Sequence, residues 1–133
     1  MRDPILITKN DHKKLTHLIA GRLEVSTPDR EYLESLESEL DRAKIVEEET
    51  LPADVVAMNS RVTVKDLDTG DTKVYRLVFP TQSHAENTVS VLAPIGTAML
   101  GYRAGDTIHW RVPRGVRRLK IVQVLSQTEV LAV

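Results

Sequence analysis

The apolar residues of this chain change their spacing near residue 50, and this change limits what the chain can fold into. Before residue 50, leucines recur every three or four residues, the period of one face of an α-helix. After it, apolar and polar residues alternate in short runs, as in strands that bury one face. Five of the six glycines and four of the six prolines also follow residue 50. We therefore expect two domains, an N-terminal domain over 1–50 and a C-terminal domain over 51–133.

The N-terminal domain is expected to form two antiparallel helices. Thr8, followed three residues later by Asp11, fits a capping box, which predicts that the first helix begins there. Thr27 and Pro28 form a second start signal, because threonine caps helices and proline suits the first helical position. The apolar seam between the helices is expected to contain Leu18, Leu33, Leu36 and Leu40. Because few residues connect the helices, they are expected to form a hairpin over about 9–47, a short coiled coil.

The C-terminal domain is expected to form a sheet with one short helix. Alternation predicts strands over residues 61–65, 75–79, 89–92, 108–112 and 117–125. A turn at 68–71 joins the first two strands, and Pro94 opens a helix that Gly101 ends. The order strand, strand, strand, helix, strand, strand predicts an antiparallel sheet with the helix on one face, an α+β domain.

Composition and motifs argue against most kinds of enzyme. The chain has no cysteine, which excludes disulfides, thiol catalysis and thiolate metal sites. Its four histidines are dispersed at His12, His17, His84 and His109, and none forms a spaced metal motif. There is no glycine-rich phosphate loop and no Gly-x-Ser-x-Gly motif. We expect a protein that is not an enzyme and that needs no cofactor and no metal.

Hydropathy and aromatic content indicate where the chain is located and whether it binds nucleic acid. No apolar run approaches the roughly 18 residues of a membrane span, and the first residues lack the apolar stretch of a signal peptide. We therefore expect a cytoplasmic protein that makes no membrane contact. Aromatic residues make up only 4% of the chain, too few for a large stacking surface for single-stranded nucleic acid. Direct sequence-specific binding of nucleic acid is not expected.

Charge is unevenly distributed although the net charge is only −1. Residues 26–50 contain nine acids and three bases, and the interpretation favoured for them is a solvated helix face. The densest basic cluster has five members: Arg111, Arg114, Arg117, Arg118 and Lys120. Two interpretations remain open for this cluster. Its charges could protect a sheet edge from pairing, or they could contact an acidic protein or a nucleic-acid backbone.

The combination of a helical hairpin and a small α+β domain resembles the Gre transcript-cleavage factors. The stretch Ser-Val-Leu-Ala-Pro-Ile-Gly-Thr-Ala-Met-Leu-Gly over 90–101, with Gly-Asp at 105–106, is similar to the signature of their C-terminal domain. A closer resemblance is to the Rnk type, the regulators of nucleoside diphosphate kinase, which are Gre-like proteins with a shortened coiled coil. The stretches 39–43 and 51–62 are similar to that type. The resemblance covers nearly the whole chain.

This resemblance implies a fold, a partner and a docking site. The implied C-terminal domain is FKBP-like, and the implied partner is bacterial RNA polymerase, with the hairpin entering its secondary channel. The implied docking residues are Ala93, Pro94, Ile95 and Thr97. Ala93 stands where the cleavage factors usually have serine, so a polar contact at this position does not carry over.

The hairpin tip also departs from the cleavage factors. Those proteins place two acids on a long coil tip, where they help to hold a catalytic Mg²⁺. The tip of this chain offers Glu24 and Asp29, which do not align with those acids, and the hairpin is shorter. The interpretation favoured for Asp29 is a charge that suits the first turn of a helix. We therefore expect a transcription regulator that occupies the channel entrance, does not stimulate transcript cleavage and competes with other factors that use the channel.

Three further questions remain open from the sequence. The chain could be an adaptor that regulates nucleoside diphosphate kinase, or nucleotide metabolism, through protein contact. An FKBP-like fold could also carry peptidyl-prolyl isomerase activity, although five aromatic residues are few for the walls of such a pocket. Finally, the hairpin could close within one chain or swap between two chains.

Overall fold

The computed structural model describes residues 4–23, 30–80, 86–112 and 115–125. The N-terminal half begins with a short strand and continues through two helices to a second short strand. Its elements are β1 (Leu6–Thr8), α1 (Lys9–Leu23), α2 (Arg30–Arg42), β2 (Lys44–Val46) and a 3₁₀ turn (Glu48–Thr50). The C-terminal half is a sheet interrupted by one helix. Its elements are β3 (Arg61–Asp66), β4 (Thr72–Val78), β5 (Thr88–Ser90), α3 (Pro94–Met99), β6 (Thr107–Val112) and β7 (Gly115–Leu125).

The helical hairpin agrees with the expectation from leucine spacing. The hydroxyl of Thr8 accepts the backbone N–H of Asp11 at 3.1 Å, so Thr8 caps α1 as predicted. The α2 seam residues Leu33, Leu36 and Leu40 are buried, whereas Leu18 on α1 is only half-buried against the same core. The helices are antiparallel, because the ring of His12, early in α1, lies 3.1 Å from the carbonyl oxygen of Leu40, late in α2. A neutral imidazole whose Nε2 carries the proton can donate to that carbonyl.

The ends of the hairpin differ from the prediction of helix over about 9–47. Residues Lys44–Val46 form β2, which pairs in parallel with β1, so the second helix ends at Arg42. The physical reason is burial of the segment before α1: Ile5 and Ile7 are both buried, and β2 supplies hydrogen-bond partners for the backbone beside them. The backbone N–H of Lys44, for example, donates to the carbonyl of Ile5 at 2.8 Å.

The five-stranded sheet confirms an α+β architecture, with one difference in strand direction. The strand order is β5-β4-β3-β7-β6. The pairs β3–β4, β3–β7 and β6–β7 are antiparallel as predicted, but β5 runs parallel to β4, so the sheet is mixed rather than wholly antiparallel. Two strands that follow each other in the chain can pair in parallel only if the chain crosses back between them, which was not expected here from the sequence.

One continuous core joins the two halves. Its buried residues come from β1, from both hairpin helices, from α3 and from the sheet. A polar contact reinforces this junction, because the carboxylate of Asp11 accepts the backbone N–H of Met58 at 3.1 Å. Burial raises the pKa of the Asp11 carboxyl, although the bond from Met58 acts in the opposite direction. The division into two domains at residue 50 stays a prediction.

Candidate docking site

The structure brings together the four residues that the sequence predicted for docking, which are Ala93, Pro94, Ile95 and Thr97. Ala93 is the residue before α3, and the other three lie in the first turn of that helix. Pro94 opens the helix as predicted. Ala93, Ile95 and Thr97 are half-buried, so each retains some exposed surface. We call residues 93–97 the docking turn.

Hydrogen bonds fix the chain that leads into the docking turn. The hydroxyl of Ser90 accepts the N–H of Leu92 at 3.1 Å, and the carbonyl of Ser90 accepts the N–H of Ala93 at 2.9 Å. The hydroxyl of Thr97 donates to the carbonyl of Val91 at 2.7 Å. This bond anchors α3 to the residue after β5. It also uses the one hydrogen that the Thr97 hydroxyl can donate, so that hydrogen is directed into the protein.

The docking turn also packs very closely on the backbone of β5. A Cβ atom at Gly96 would lie only 2.0 Å from the carbonyl oxygen of Ser90. Only glycine fits this position without a backbone shift, because it has no Cβ. The close approach places Ile95 beside the inner face of the sheet, where its side chain packs against the core.

Ile95 contributes to a cavity between the docking turn and the sheet, which we call the inner cavity. It has a volume of about 290 Å³, and its described lining residues are Val64, Asp66, Asp71, Lys73, Tyr75, Val89, Ile95, Arg117 and Leu119. Tyr75 is the aromatic residue among them. The isomerase alternative rests on a pocket walled by several aromatic residues, and the described lining does not supply them.

One ion pair lines the inner cavity, and a second one lies near it in sequence. Arg117 pairs with Asp66, and this bond, with the backbone N–H groups of Asp68 and Thr69, lowers the pKa of the Asp66 carboxyl. The same carboxylate raises the pKa of the Arg117 guanidinium. Arg118 pairs with Asp68 at 2.9 Å. The sequence analysis singled out neither acid, although Asp66 ends the alternating run of β3 at an inward position, just before a turn.

These ion pairs divide the basic cluster predicted over 111–120. Arg117 pairs with Asp66 at the end of β3 and Arg118 pairs with Asp68 just after it, whereas Lys120 is exposed on β7. Arg114 lies outside the described residues. The cluster is therefore not one uniform basic surface.

Other candidate residues stand apart from the docking turn. The hairpin-tip acids Glu24 and Asp29, and also His84, lie outside the described residues. His109 is exposed on β6. Within the described ranges no three histidine, aspartate or glutamate side chains form a group that could hold a metal ion. No helix in the same ranges is long and apolar enough to cross a membrane.

Comparison with known families matches both halves of the chain. The family model described as "Rnk N-terminus" matches residues 3–46. The family model described as "Transcription elongation factor, GreA/GreB, C-term" matches residues 51–126, a range that includes the docking turn and the whole sheet.

Individual proteins give the same result. The chain is 38% identical over 130 residues to the "Regulator of nucleoside diphosphate kinase" of Escherichia coli K12, covering 96% of this chain and 93% of that protein. It is 34% identical over 90 residues to the GreA elongation factor of Solidesulfovibrio magneticus, covering 67% of this chain and 55% of that protein. A solved GreA/GreB structure from Nitrosomonas europaea superposes with a TM-score of 0.77 at 35% identity, covering 93% of this chain and 99% of that chain. The chain therefore belongs to the GreA/GreB family of transcription factors, within which it carries an Rnk-type N-terminus.

Proposed function

We propose that this chain binds bacterial RNA polymerase through the docking turn and that its hairpin occupies the entrance of the secondary channel. The observation that supports this proposal most directly is the GreA/GreB match over residues 51–126, which includes the docking turn. The geometry adds a physical argument. Hydrogen bonds and close backbone packing hold the turn, so its half-exposed residues are presented in one conformation. A preorganised surface loses little conformational entropy when it binds.

The first test is a charge at the centre of the docking turn. Ile95→Glu is expected to weaken polymerase binding roughly tenfold or more, because a carboxylate would be buried without a partner at the interface. Val116→Glu is the matched control, since Val116 is 53% exposed and strand alternation places it on the opposite face of the sheet. A binding titration with purified polymerase measures both variants.

Because Ile95 also packs against the core, a second variant separates binding from folding. Ile95→Ala keeps an apolar helical residue and removes only the larger side chain, so it should remain folded and bind more weakly than the natural chain. Thermal unfolding of each variant is measured beside the titration. Unchanged affinity in both folded Ile95 variants would reject the docking turn as the polymerase contact.

The proposal further states that this chain does not stimulate transcript cleavage. Stimulation requires carboxylates at the metal site of the polymerase, where a Mg²⁺ ion accepts ligands at about 2.1 Å. The 15 residues of α1 span only about 22 Å at 1.5 Å per residue. The GreA relative also has more chain, since its match covers 67% of this protein and 55% of that one. A factor docked by the same domain but with a shorter hairpin would stop short of the metal.

A backtracked elongation complex provides the assay for this expectation. Adding the purified protein should leave the cleavage rate of the polymerase unchanged and should inhibit stimulation by a Gre cleavage factor. Excess cleavage factor should restore stimulation, because the two proteins compete for one site. Cleavage above the polymerase's own rate, abolished by Glu24→Gln or Asp29→Asn, would overturn the proposal.

A second candidate function comes from the printed name of the E. coli relative, a regulator of nucleoside diphosphate kinase. On this alternative the chain is an adaptor that contacts the kinase directly. A pulldown from bacterial lysate distinguishes the two. Polymerase subunits in the bound fraction support the first proposal, whereas the kinase without polymerase supports the adaptor.

A further inference from the structure

The sheet face that points away from α3 carries an unusual set of side chains, and we call it the outer face. Strand alternation and the register of β7 assign twelve residues that are not buried to it: Arg61, Thr63, Lys65, Thr72, Val74, Arg76, Val116, Arg118, Lys120, Val122, Gln123 and Leu125. Every charged residue in this set is a base. Because the whole chain has a net charge of −1, this surface does not follow from its overall composition.

The strand register places these bases directly opposite one another. Arg61 pairs with Arg76 between β3 and β4, and Lys65 pairs with Lys120 between β3 and β7. Like charges in directly opposed positions of a sheet are destabilising. Two such pairs on one face make the electrostatic potential of the surface more positive and lower the stability of the fold. A bound anion would relieve this repulsion.

Most of these bases have no acidic partner among the described residues. Arg118 forms the ion pair with Asp68, and its charge is thereby offset. Neither member of the Arg61–Arg76 pair makes an ion pair with a described residue, and the same holds for Lys65 and Lys120. The outer face therefore keeps four positive charges that form no ion pair with a described residue.

The arginine pair borders a depression in the surface. This depression has a volume of about 540 Å³ and is lined by Arg61, Val74, Tyr75, Arg76, Glu86, Asn87 and Thr88. Two guanidinium groups at one edge can bind a carboxylate through paired N–H donors, the geometry that arginine favours. Glu86 is the acid among the lining residues, and no ion pair joins it to either arginine.

The apolar residues between the arginine pair and the lysine pair indicate which kind of anion fits. Val74 is 42% exposed and lies directly opposite Thr63. Val122 is 50% exposed and lies in a bulge of β7, next to Gln123, which pairs with Thr63 on its other side. Exposed valines contribute nothing to contact with a phosphate backbone, whereas apolar residues surrounded by arginine are typical of protein interfaces. No aromatic residue belongs to the outer face as defined, so base stacking has no platform there.

We propose that the outer face binds an acidic polypeptide segment that carries an apolar residue between two carboxylates. Arg61 and Lys65 are four residues apart on β3, which corresponds to about 13 Å at 3.3 Å per residue. In an extended peptide, residues i, i+2 and i+4 share one face and span the same length. The pattern acid-x-apolar-x-acid therefore matches the arginine pair, the valines and the lysine pair in order. This proposal rests on the sheet alone and not on the docking turn.

The test is a binding titration of the full chain with a fluorescent peptide, Ser-Glu-Ser-Leu-Ser-Glu-Ser. A double variant, Arg61→Gln with Arg76→Gln, is expected to weaken binding roughly tenfold, because it removes the charge-assisted bonds to one carboxylate. It should remain folded, since it also relieves a like-charge pair. The matched control is Lys13→Gln with Lys14→Gln, which removes the same charge from exposed positions of α1 and should bind as the natural chain does.

Further probes make the result decisive. A peptide with glutamine in place of both glutamates should not bind, and Val74→Ser should weaken binding of the acidic peptide. An equal loss of peptide affinity in the arginine variant and in the control would overturn the proposal. It would show that the peptide responds to the net charge of the protein and not to a specific site. A single-stranded oligonucleotide that binds more tightly than the peptide and depends on the same arginines would also overturn it, in favour of a nucleic-acid surface.

Discussion

Replacing Gly96 by alanine is expected to lower the free energy of unfolding by roughly 3 kcal/mol or more, the upper end of what overpacking costs. The new Cβ would lie 2.0 Å from the carbonyl oxygen of Ser90 and 2.9 Å from its carbonyl carbon. Both are backbone atoms, so relief requires α3 or the end of β5 to move rather than a side chain to rotate. Chemical denaturation of the purified variant measures the loss.

Gly21 provides a control of opposite sign for the Gly96 variant. It also lies in a helix, α1, but a Cβ built there meets nothing within 4 Å. Gly21→Ala should therefore raise the free energy of unfolding by roughly 0.5–1 kcal/mol, because alanine favours helix and restricts the unfolded chain. Similar losses in both variants would contradict the packing argument. Under the proposed function, displacement of the docking turn in the Gly96 variant should also weaken polymerase binding, which Gly21→Ala should leave unchanged.

The elements that sequence reasoning identified correctly are those with several repeats of one period. The run 61–65 alternates over five residues, and the structure has β3 there. Leu33, Leu36 and Leu40 repeat over two helical turns, and all three are buried on α2. Local signals also identified two helix starts correctly, since Thr8 caps α1 and Pro94 opens α3. The start signal at Thr27 and Pro28 lies outside the described residues. Each of these signals depends only on neighbouring residues.

The elements that sequence reasoning missed depend on distant residues. β1 and β2 have three residues each, too few to show a period, and each exists because the other pairs with it. The direction of β5 likewise depends on its pairing with β4, which no local pattern contains. Such features follow from the pairing of segments far apart in the chain.

The difference between local and long-range signals also explains how much of the docking turn and of the outer face could be predicted from the sequence. The proposed docking turn is contiguous, so its four residues could be predicted from one stretch of sequence, and their role in docking stays a prediction. The outer face combines bases from β3, β4 and β7, and the opposition of Arg61 to Arg76 appears only when the strand register is known. Conversely, the basic cluster at 111–120 is dense in sequence but is divided by ion pairs to Asp66 and Asp68. Sequence density alone was therefore a poor guide to surface charge.

Replacing Gly101 by alanine is expected to lower the free energy of unfolding by roughly 2–5 kcal/mol, the sum of two separate costs. The first cost is conformational, because Gly101 has a φ of +82°, in the left-handed region that penalises any side chain. The second is steric, because the new Cβ would lie 2.3 Å from the Cβ of Ile5 and 2.6 Å from its Cγ2. Ile5 belongs to the segment before β1, so this contact joins the N-terminal half to the end of α3.

Two further variants separate these costs. Gly70 has a nearly identical φ of +83° but open space around its Cβ position, so Gly70→Ala should show only the conformational cost of roughly 1–2 kcal/mol. Ile5→Gly removes the Cβ, Cγ2 and Cδ1 atoms that the new Cβ would meet, so the double variant with Gly101→Ala should lose less stability than the two single variants together. Two results would together show that the Ile5 side chain does not clash with a Cβ at residue 101. The Gly70 and Gly101 variants would lose equal free energy of unfolding, and the losses of the two single variants would add up to that of the double variant. The expected coupling would instead mean that the Rnk-type N-terminus and the GreA/GreB domain resist unfolding together through this contact.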